Sequence, residues 1–440
     1  MPKPNILYIH SHDTGRYLQP YGHAIPTPNL QRLAERGVLF RRAYCAAPTC
    51  SPSRAALLTG QSPHSAGMLG LANRHFRLRD FNQHIIHTLK GAGYTSALAG
   101  IQHLSGRRYH GGAADVGYDQ VLTEDRSQTH IAAADFIRSM PEEPFWLTVG
   151  FFETHREFPT EHDVNPDYVQ PPALFPDTPG TRQDMANYIA MAKILDDKIG
   201  QVLRALDETG LRENTLVIYT TDHGLAFPDM KCNLTDHGIG VALIMDGPAP
   251  FSGGRAIDAM VSHIDIFPTV CDTLGIDEPD WLQGHSILPL LTGERESIRD
   301  ELFAEVSYHA AYEPKRAVRS ERYKYIRRYD GRSSPVLSNI DDGFTKSEWL
   351  EAGYGESEIA PERLYDTWLD PVERVNLIDS AEHADVLEDM RARLDRWMRA
   401  TDDPLLQGPV PAPPGVELNN PDGLSPHGPM TILGGNVDGV

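Results

Sequence analysis

Cysteine is scarce: four in 440 residues, at Cys45, Cys50, Cys232 and Cys271, with no metal-type spacing among them. That count excludes a disulfide-built scaffold and a cysteine-rich zinc fold. Long apolar runs are also missing. The opening "MPKPNILYIH" has one lysine and too few apolar residues for a secretory leader, and no later stretch could cross a bilayer. A cytoplasmic, reduced protein is expected. Basic residues are outnumbered, 40 Lys+Arg against 61 Asp+Glu, for a net charge of −21. Neither nucleic acid nor a membrane is expected as partner, because both demand clustered Lys and Arg. An anion could be bound only where the few cations converge.

What is present has an alternating order. Asn5–His10 reads as a strand ending in the polar cluster "HSHDTG". Thr27 and Pro28 start a helix that Gly37 closes, and "HIIHTLKGAGYTSALAG" repeats helix, glycine stop and strand. "FWLTVGFF" and "LVIYTTDHG" read as strands on either side of one long amphipathic helix. The pattern predicts an α/β fold with a large, mostly parallel sheet between helices, its site outside the strands' carboxyl ends. After about residue 290 the texture changes to antiparallel strands ("AVRSERYKYIRRYD") and a final amphipathic helix. We therefore expect a catalytic domain over 1–290, a smaller α+β subdomain over 291–403, and a Pro/Gly-rich extended tail over 404–440. That tail would run as an arm or against a partner subunit, and a homo-oligomer is expected.

Polar clusters fall at or just after the predicted strand ends: His12-Asp13, Cys50 with Arg54, His103, His155, and Asp222-His223 followed by Lys231. Each has a plain structural explanation, such as a cap, a turn or a surface charge. Together they are the parts of one device. Carboxylates and imidazoles can hold a divalent cation, Arg54 and Lys231 can neutralise a tetrahedral anion, and His155 can protonate a leaving oxygen. In "TCSPSRAALLTG", Ser51 suits an N-cap, Pro52 the first helical position, and Thr59-Gly60 a stop. Cys50 would then sit at the positive end of the helix dipole, a setting that favours an anionic nucleophile or ligand.

"CSPSRAALLTG" resembles the Cys-x-Pro-x-Arg signature of the sulfatase family, in the alkaline phosphatase superfamily. "PNILYIHSHDTG", "GIQHLSG", "FFETHREFP", "YTTDHGLAFPDMKCNL" and "LYDTWLDPVERVNLI" are similar to the family's other segments. The heparan N-sulfatase branch looks nearest. The resemblance implies that a formylglycine-generating enzyme converts Cys50 to formylglycine, whose hydrated gem-diol is the nucleophile. It also implies one divalent metal ion held by Asp13, Asp222 and the modified Cys50, and a small anionic sulfated substrate. Arg54 would stabilise nucleophile and sulfuryl group, His103 would orient or deprotonate the diol, and His155 and Lys231 would contact the sulfate and assist departure.

Two departures stand out. Most sulfatases have Asp-Asp where this chain has His12-Asp13, and commonly Asp-Asn where it has Asp222-His223. His12 and His223 are therefore added to the expected metal ligands. Imidazole favours Mn, Fe or Zn, though Ca is compatible with the carboxylates. The family's lysine two residues before His103 is Ile101 here, and Arg74, Arg107 and Arg108 are candidate replacements. Two other readings stay open: the same machinery acting on phosphonate or phosphate mono- or diesters, and an unmodified family member that only binds an anion.

Overall fold

The computed structural model describes residues 3–433, so 434–440 of the expected tail lie outside the described residues. Nine strands form the main sheet: β1 Asn5–Ser11, β2 Val38–Tyr44, β3 Thr95–Gly100, β4 Gln120–Thr123, β5 Phe145–Gly150, β6 Thr215–Thr221, β7 Gly240–Val241, β8 Leu243–Asp246 and β9 Arg255–Ser262. Their order is β4-β3-β5-β1-β6-β8-β2-β7, with β9 also pairing β2. The run from β4 to β6 is parallel throughout. β8 is antiparallel to both β6 and β2, so β2 points the same way as β6. This is the α/β fold with a mostly parallel sheet that the sequence predicts.

Both faces of the sheet are covered, and β1, β5 and β6 are buried at every position. Ile6 and Tyr8 of β1 join Leu216 and Ile218 of β6 in one apolar cluster. Leu7 and Ile9 join Val217 and Tyr219 in the cluster on the other face. The long helix Pro179–Thr209 supplies Leu195, Ile199, Val202 and Leu206 to that second face. It begins at Pro179 because Thr178 and Thr181 form a reciprocal cap with Pro179 in the first turn.

Four further strands, β10 Glu301–Tyr308, β11 Tyr312–Ser320, β12 Tyr323–Arg328 and β13 Glu362–Asp366, make an antiparallel sheet in simple succession. The helix Ala384–Ala400 packs Leu387, Met390, Leu394 and Met398 onto it. Leu302, Ala304, Val306, Ala317 and Ile326 of this sheet belong to the same apolar cluster as β1 and β6. The two sheets therefore share a core. The described part of the tail folds back on its own chain: β14 Glu417–Asn419 pairs with β15 Met430–Ile432, and Asn419 N–H donates to the Ala310 carbonyl. Among the described residues no helix is long and apolar enough to cross a membrane.

A buried ion network fastens the start of the tail to the second sheet. Arg316, wholly buried, binds Asp403 through Nε (2.5 Å) and Nη2 (3.0 Å) and lies 3.2 Å from Glu305. Glu305 also accepts from the His64 backbone N–H and pairs with its Nδ1, each at 2.6 Å. Removing one partner of such a network strands buried charge, which costs far more than the net worth of the pairs. Arg316→Leu should therefore lower unfolding free energy by about 3–5 kcal/mol in urea melts. A loss below about 1 kcal/mol would show that the network contributes little.

Candidate active site

Parallel strands deliver their following loops to one edge of the sheet. β1 hands on to His12-Asp13, β3 to His103, β5 to His155 and β6 to Asp222-His223, while β2 leads to Cys50. The register aligns these exits, with His10 opposite Gly150 and Ser11 opposite Thr221. Gly150 is required there, since a Cβ would meet the Ile101 carbonyl at 1.9 Å and the His10 ring at 2.8 Å.

Adjacent residues of an extended strand point to opposite faces, so His12 and Asp13 can meet only if the chain turns. It does. β1 ends at Ser11, and Asp13 adopts a left-handed conformation with φ 48°. Asp13 N–H donates to Asp222 Oδ1 (2.8 Å), which also accepts from His223 N–H (2.9 Å). Gly15 N–H donates to the His223 carbonyl (2.8 Å), so the β1 and β6 loops are laced together.

The nucleophile helix spans Cys50–Thr59 and stops at Gly60, as expected, but starts earlier than expected. Thr49, extended, is the cap residue, and Cys50 is the first helical position. Ser51 is not the cap. Its Oγ accepts from Ala72 N–H (3.0 Å). Cys50 Sγ lies 3.4 Å from His223 Nε2 and 4.0 Å from Asp13 Oδ1. One turn on, Arg54 is 2 % exposed and binds Asp222 Oδ2 (2.9 Å), the Ser11 carbonyl (3.0 Å) and His10 Nδ1. Lys231 Nζ bridges Asp13 and Asp341, at 3.0 Å from each.

Charge and burial set the protonation of these groups. Burial, reinforced by Arg54, holds His12 well below its ordinary value, and the same two causes push His103 down to about 3. Burial pushes the Cys50 thiol up despite Lys231 nearby. The sequence-based expectation of a dipole-activated anion at Cys50 is thus reversed: desolvation outweighs the helix end, and the thiol stays neutral. Burial opposes charge on Asp222, yet His223 and Arg54 hold its carboxyl well below the usual range.

Every residue expected at the site from strand ends lies in this region. One oxygen, nitrogen or sulfur from each of His12, Asp13, Cys50 and Asp222 falls within a mutual 4.8 Å, and His12, Cys50 and His103 make a second such group. His223 reaches Asp13 Oδ1 at 3.3 Å. The His155 ring stands edge-on to His12, centroids 5.6 Å apart, and stacks on Phe152. The candidates to replace the lysine absent at Ile101 lie elsewhere. Arg107 pairs with Glu124, Arg108 with Glu417, and Arg74 contacts carbonyls of Ala310, Glu417 and Pro426.

Comparison with known proteins gives the family. The profile described as Sulfatase matches residues 4–276, and that of N-sulphoglucosamine sulphohydrolase, C-terminal, matches 226–342. The chain belongs to the sulfatase family, the sulfuric ester hydrolases. Human N-sulphoglucosamine sulphohydrolase is 29 % identical, the match covering 94 % of this chain and 92 % of that one. A Formosa agariphila ulvan-active sulfatase is 26 % identical over 95 % and 81 %. Among solved structures, a 2-O GAG sulfatase has a TM-score of 0.72 at 22 % identity over 94 % and 95 % of the chains. The phosphonate monoester hydrolase of Agrobacterium radiobacter has 0.71, also at 22 %, over 94 % and 100 %. The fold is shared across both chemistries.

Three residues of this sulfatase's site escaped the sequence reading or were left without a role. His10 holds Arg54. His309 is buried beside Lys231 and Asp341, its Nδ1 without a hydrogen bond. Asp341 completes the Lys231 bridge. His309 and Asp341 come from the second sheet's side of the chain, where "SYHAAYE" and "SNIDDGF" carry no strand-end signature. All four cysteines are free and buried. Native protein should therefore show almost no fast-reacting thiol toward a disulfide reagent at pH 8. After denaturation it should show four thiols if Cys50 is unmodified and three if it is converted, and a fast native thiol would contradict the burial of Cys50.

Proposed function

We propose that this sulfatase hydrolyses sulfate monoesters or sulfamates using a formylglycine formed from Cys50 beside one divalent cation. The convergence of Cys50 with two buried carboxylates, two imidazoles and two cations supports this most directly. Formylglycine supplies a hydrated aldehyde that attacks and later eliminates sulfate, which a neutral buried thiol does not offer. Cys50 is 2 % exposed, so the formylglycine-generating enzyme must reach it before the chain closes.

The donor set fits a cation. His12 is buried, and neither ring nitrogen makes a hydrogen bond, although Nδ1 lies 3.3 Å from Asp222 Oδ2. His223 Nδ1 faces the Gly224 carbonyl at 3.0 Å and donates to it, which leaves the Nε2 lone pair toward Asp13 and Cys50. His12, Asp13, Asp222, His223 and position 50 would hold the ion, which would supply Lewis acidity to the nucleophile and sulfuryl oxygens. Arg54, fixed by Asp222, the Ser11 carbonyl and His10, and Lys231, fixed by Asp13, present charge to a tetrahedral group without reorganising. His103 is neutral and can accept a proton. The His155 Nδ1 donates to the Arg156 carbonyl, so Nε2 is the atom that delivers a proton to the leaving oxygen or nitrogen. The imidazole-rich donor set and the likeness in fold to a phosphonate monoester hydrolase keep phosphonate and phosphate esters as the second reading. Cys45, Cys232 and Cys271, unpaired and buried, support the cytoplasmic setting.

Turnover tests both the nucleophile and the acid. Cys50→Ala should abolish sulfate release from nitrophenyl sulfate. His155→Ala should cost about 10²–10⁴ in rate on esters with poor leaving groups and much less on the activated aryl ester. Equal losses on both substrates would remove His155 from the proton-donor role. If the wild type turned over a phosphonate monoester far faster than any sulfate, the second reading would replace the first.

The metal preference follows from the imidazoles. Purified protein should carry Mn, Fe or Zn, and stripped protein should regain activity with Mn²⁺ better than with Ca²⁺. His12→Asp should shift that preference toward Ca²⁺. Stoichiometric calcium by elemental analysis, with reactivation by Ca²⁺ alone, would count against His12 as a ligand.

A further inference from the structure

The fixed charges of the site do not cancel. Asp13, Asp222 and Asp341 contribute three negative charges, and Arg54 and Lys231 contribute two positive ones. The divalent cation proposed above turns that deficit of one into an excess of one. Whatever proton His155 carries, Asp341 lowers the charge facing a bound anion by one, which penalises a dianion more than a monoanion. Asp341 decides this balance. Asp13 and Asp222 sit against the expected cation, whereas Asp341 arrives from the loop after β12 and touches none of the expected ligands. Its only ion-pair partner among the described residues is Lys231, and its titratable neighbours include His155, His309 and Cys232, with Asp342 next in the chain. Its side chain is 16 % exposed, against 3 % for Lys231.

We propose that Asp341 determines specificity by charge, making the site select monoanionic tetrahedral esters over dianionic ones. The favoured class comprises sulfate monoesters, sulfamates, phosphonate monoesters and phosphate diesters. Phosphate monoesters and the released sulfate dianion are disfavoured. The proposal rests on the reading that Lys231 receives the tetrahedral group. The ammonium has three donors, of which Asp13 takes one by a hydrogen bond while Asp341 stands beside it as an ion-pair partner, so a donor remains for a ligand oxygen. A ligand bound there lies next to Asp341. Each added negative charge on the ligand meets the carboxylate's repulsion in full, while the contacts of its oxygens are unchanged. The same repulsion assists product release, because hydrolysis converts a monoanionic ester into dianionic sulfate at the same place.

The test compares anions that share a tetrahedral group and differ in charge, on the full-length protein as purified with its metal. Calorimetry at pH 8 would measure binding of inorganic sulfate and of methyl sulfate to wild type, Asp341→Asn and Asp341→Glu. Asparagine keeps the shape and the acceptor for Lys231 and removes the charge. Asp341→Asn should tighten inorganic sulfate about tenfold and methyl sulfate about threefold or less. Asp341→Glu should keep the wild-type ratio, which a purely structural role for the side chain would not predict. An unchanged ratio in Asp341→Asn would overturn the proposal, as would wild-type protein that binds sulfate about ten times more tightly than methyl sulfate or binds neither. The wild-type comparison stands even if a variant fails to fold. A protein that shows the predicted shift and hydrolyses no sulfate ester would overturn the proposed function and leave this inference intact.

Discussion

Asp222 is the group on which the site's geometry depends. Both carboxylate oxygens are committed: Oδ1 to the backbone N–H of Asp13 and His223, Oδ2 to Arg54. A carboxylate this deeply buried stays charged only because those donors surround it. In return it fixes three elements at once. The turn after β1 is closed by it, the loop after β6 is folded over it, and the nucleophile helix is anchored through it by Arg54. Ser53 adds a fourth tie, donating from Oγ to the Asp222 carbonyl at 2.6 Å. The position of Cys50 is thus set by an ion pair one helical turn away rather than by anything the cysteine itself touches.

That dependence explains which parts of the site were legible in the sequence. A parallel sheet announces its strands by apolar runs, and a polar cluster after such a run marks a strand's carboxyl end. His12-Asp13, His103, His155 and Asp222-His223 could be found in this way, and Arg54 followed from its place beside Cys50. Local signals also gave the stops at Gly37 and Gly60. The start of the nucleophile helix was misread by two residues, since Ser51 has the chemistry of a cap but spends its hydroxyl on Ala72. The thiol's charge state was misread for a different reason. A dipole argument is local, whereas burial at Cys50 is the work of the whole molecule.

Asp341 and His309 were illegible on stricter grounds. They reach Lys231 because the second sheet shares an apolar cluster with β1 and β6, so its loops are carried to the same edge. Nothing in "NIDDG" distinguishes Asp341 from Asp342, which pairs with Lys346 nearby in sequence and is more exposed. Arg74 illustrates the converse. Its place in the chain made it a candidate cation for the site, but the described tail lies against it and takes its donors with backbone carbonyls.

The expected gain from Ile101 can be argued from the same electrostatics. A lysine at that position would bring a further cation toward His103 and the diol, and with Asp341 present the site would carry two excess positive charges. Isoleucine removes that charge. The imidazole at His12 acts in the same direction as the lost lysine in charge terms, replacing an anionic ligand by a neutral one. Exchanging one carboxylate for imidazole and one ammonium for an alkyl chain leaves the net charge where it was. Against the pattern that the sequence resemblance implies, the two departures would compensate each other in charge.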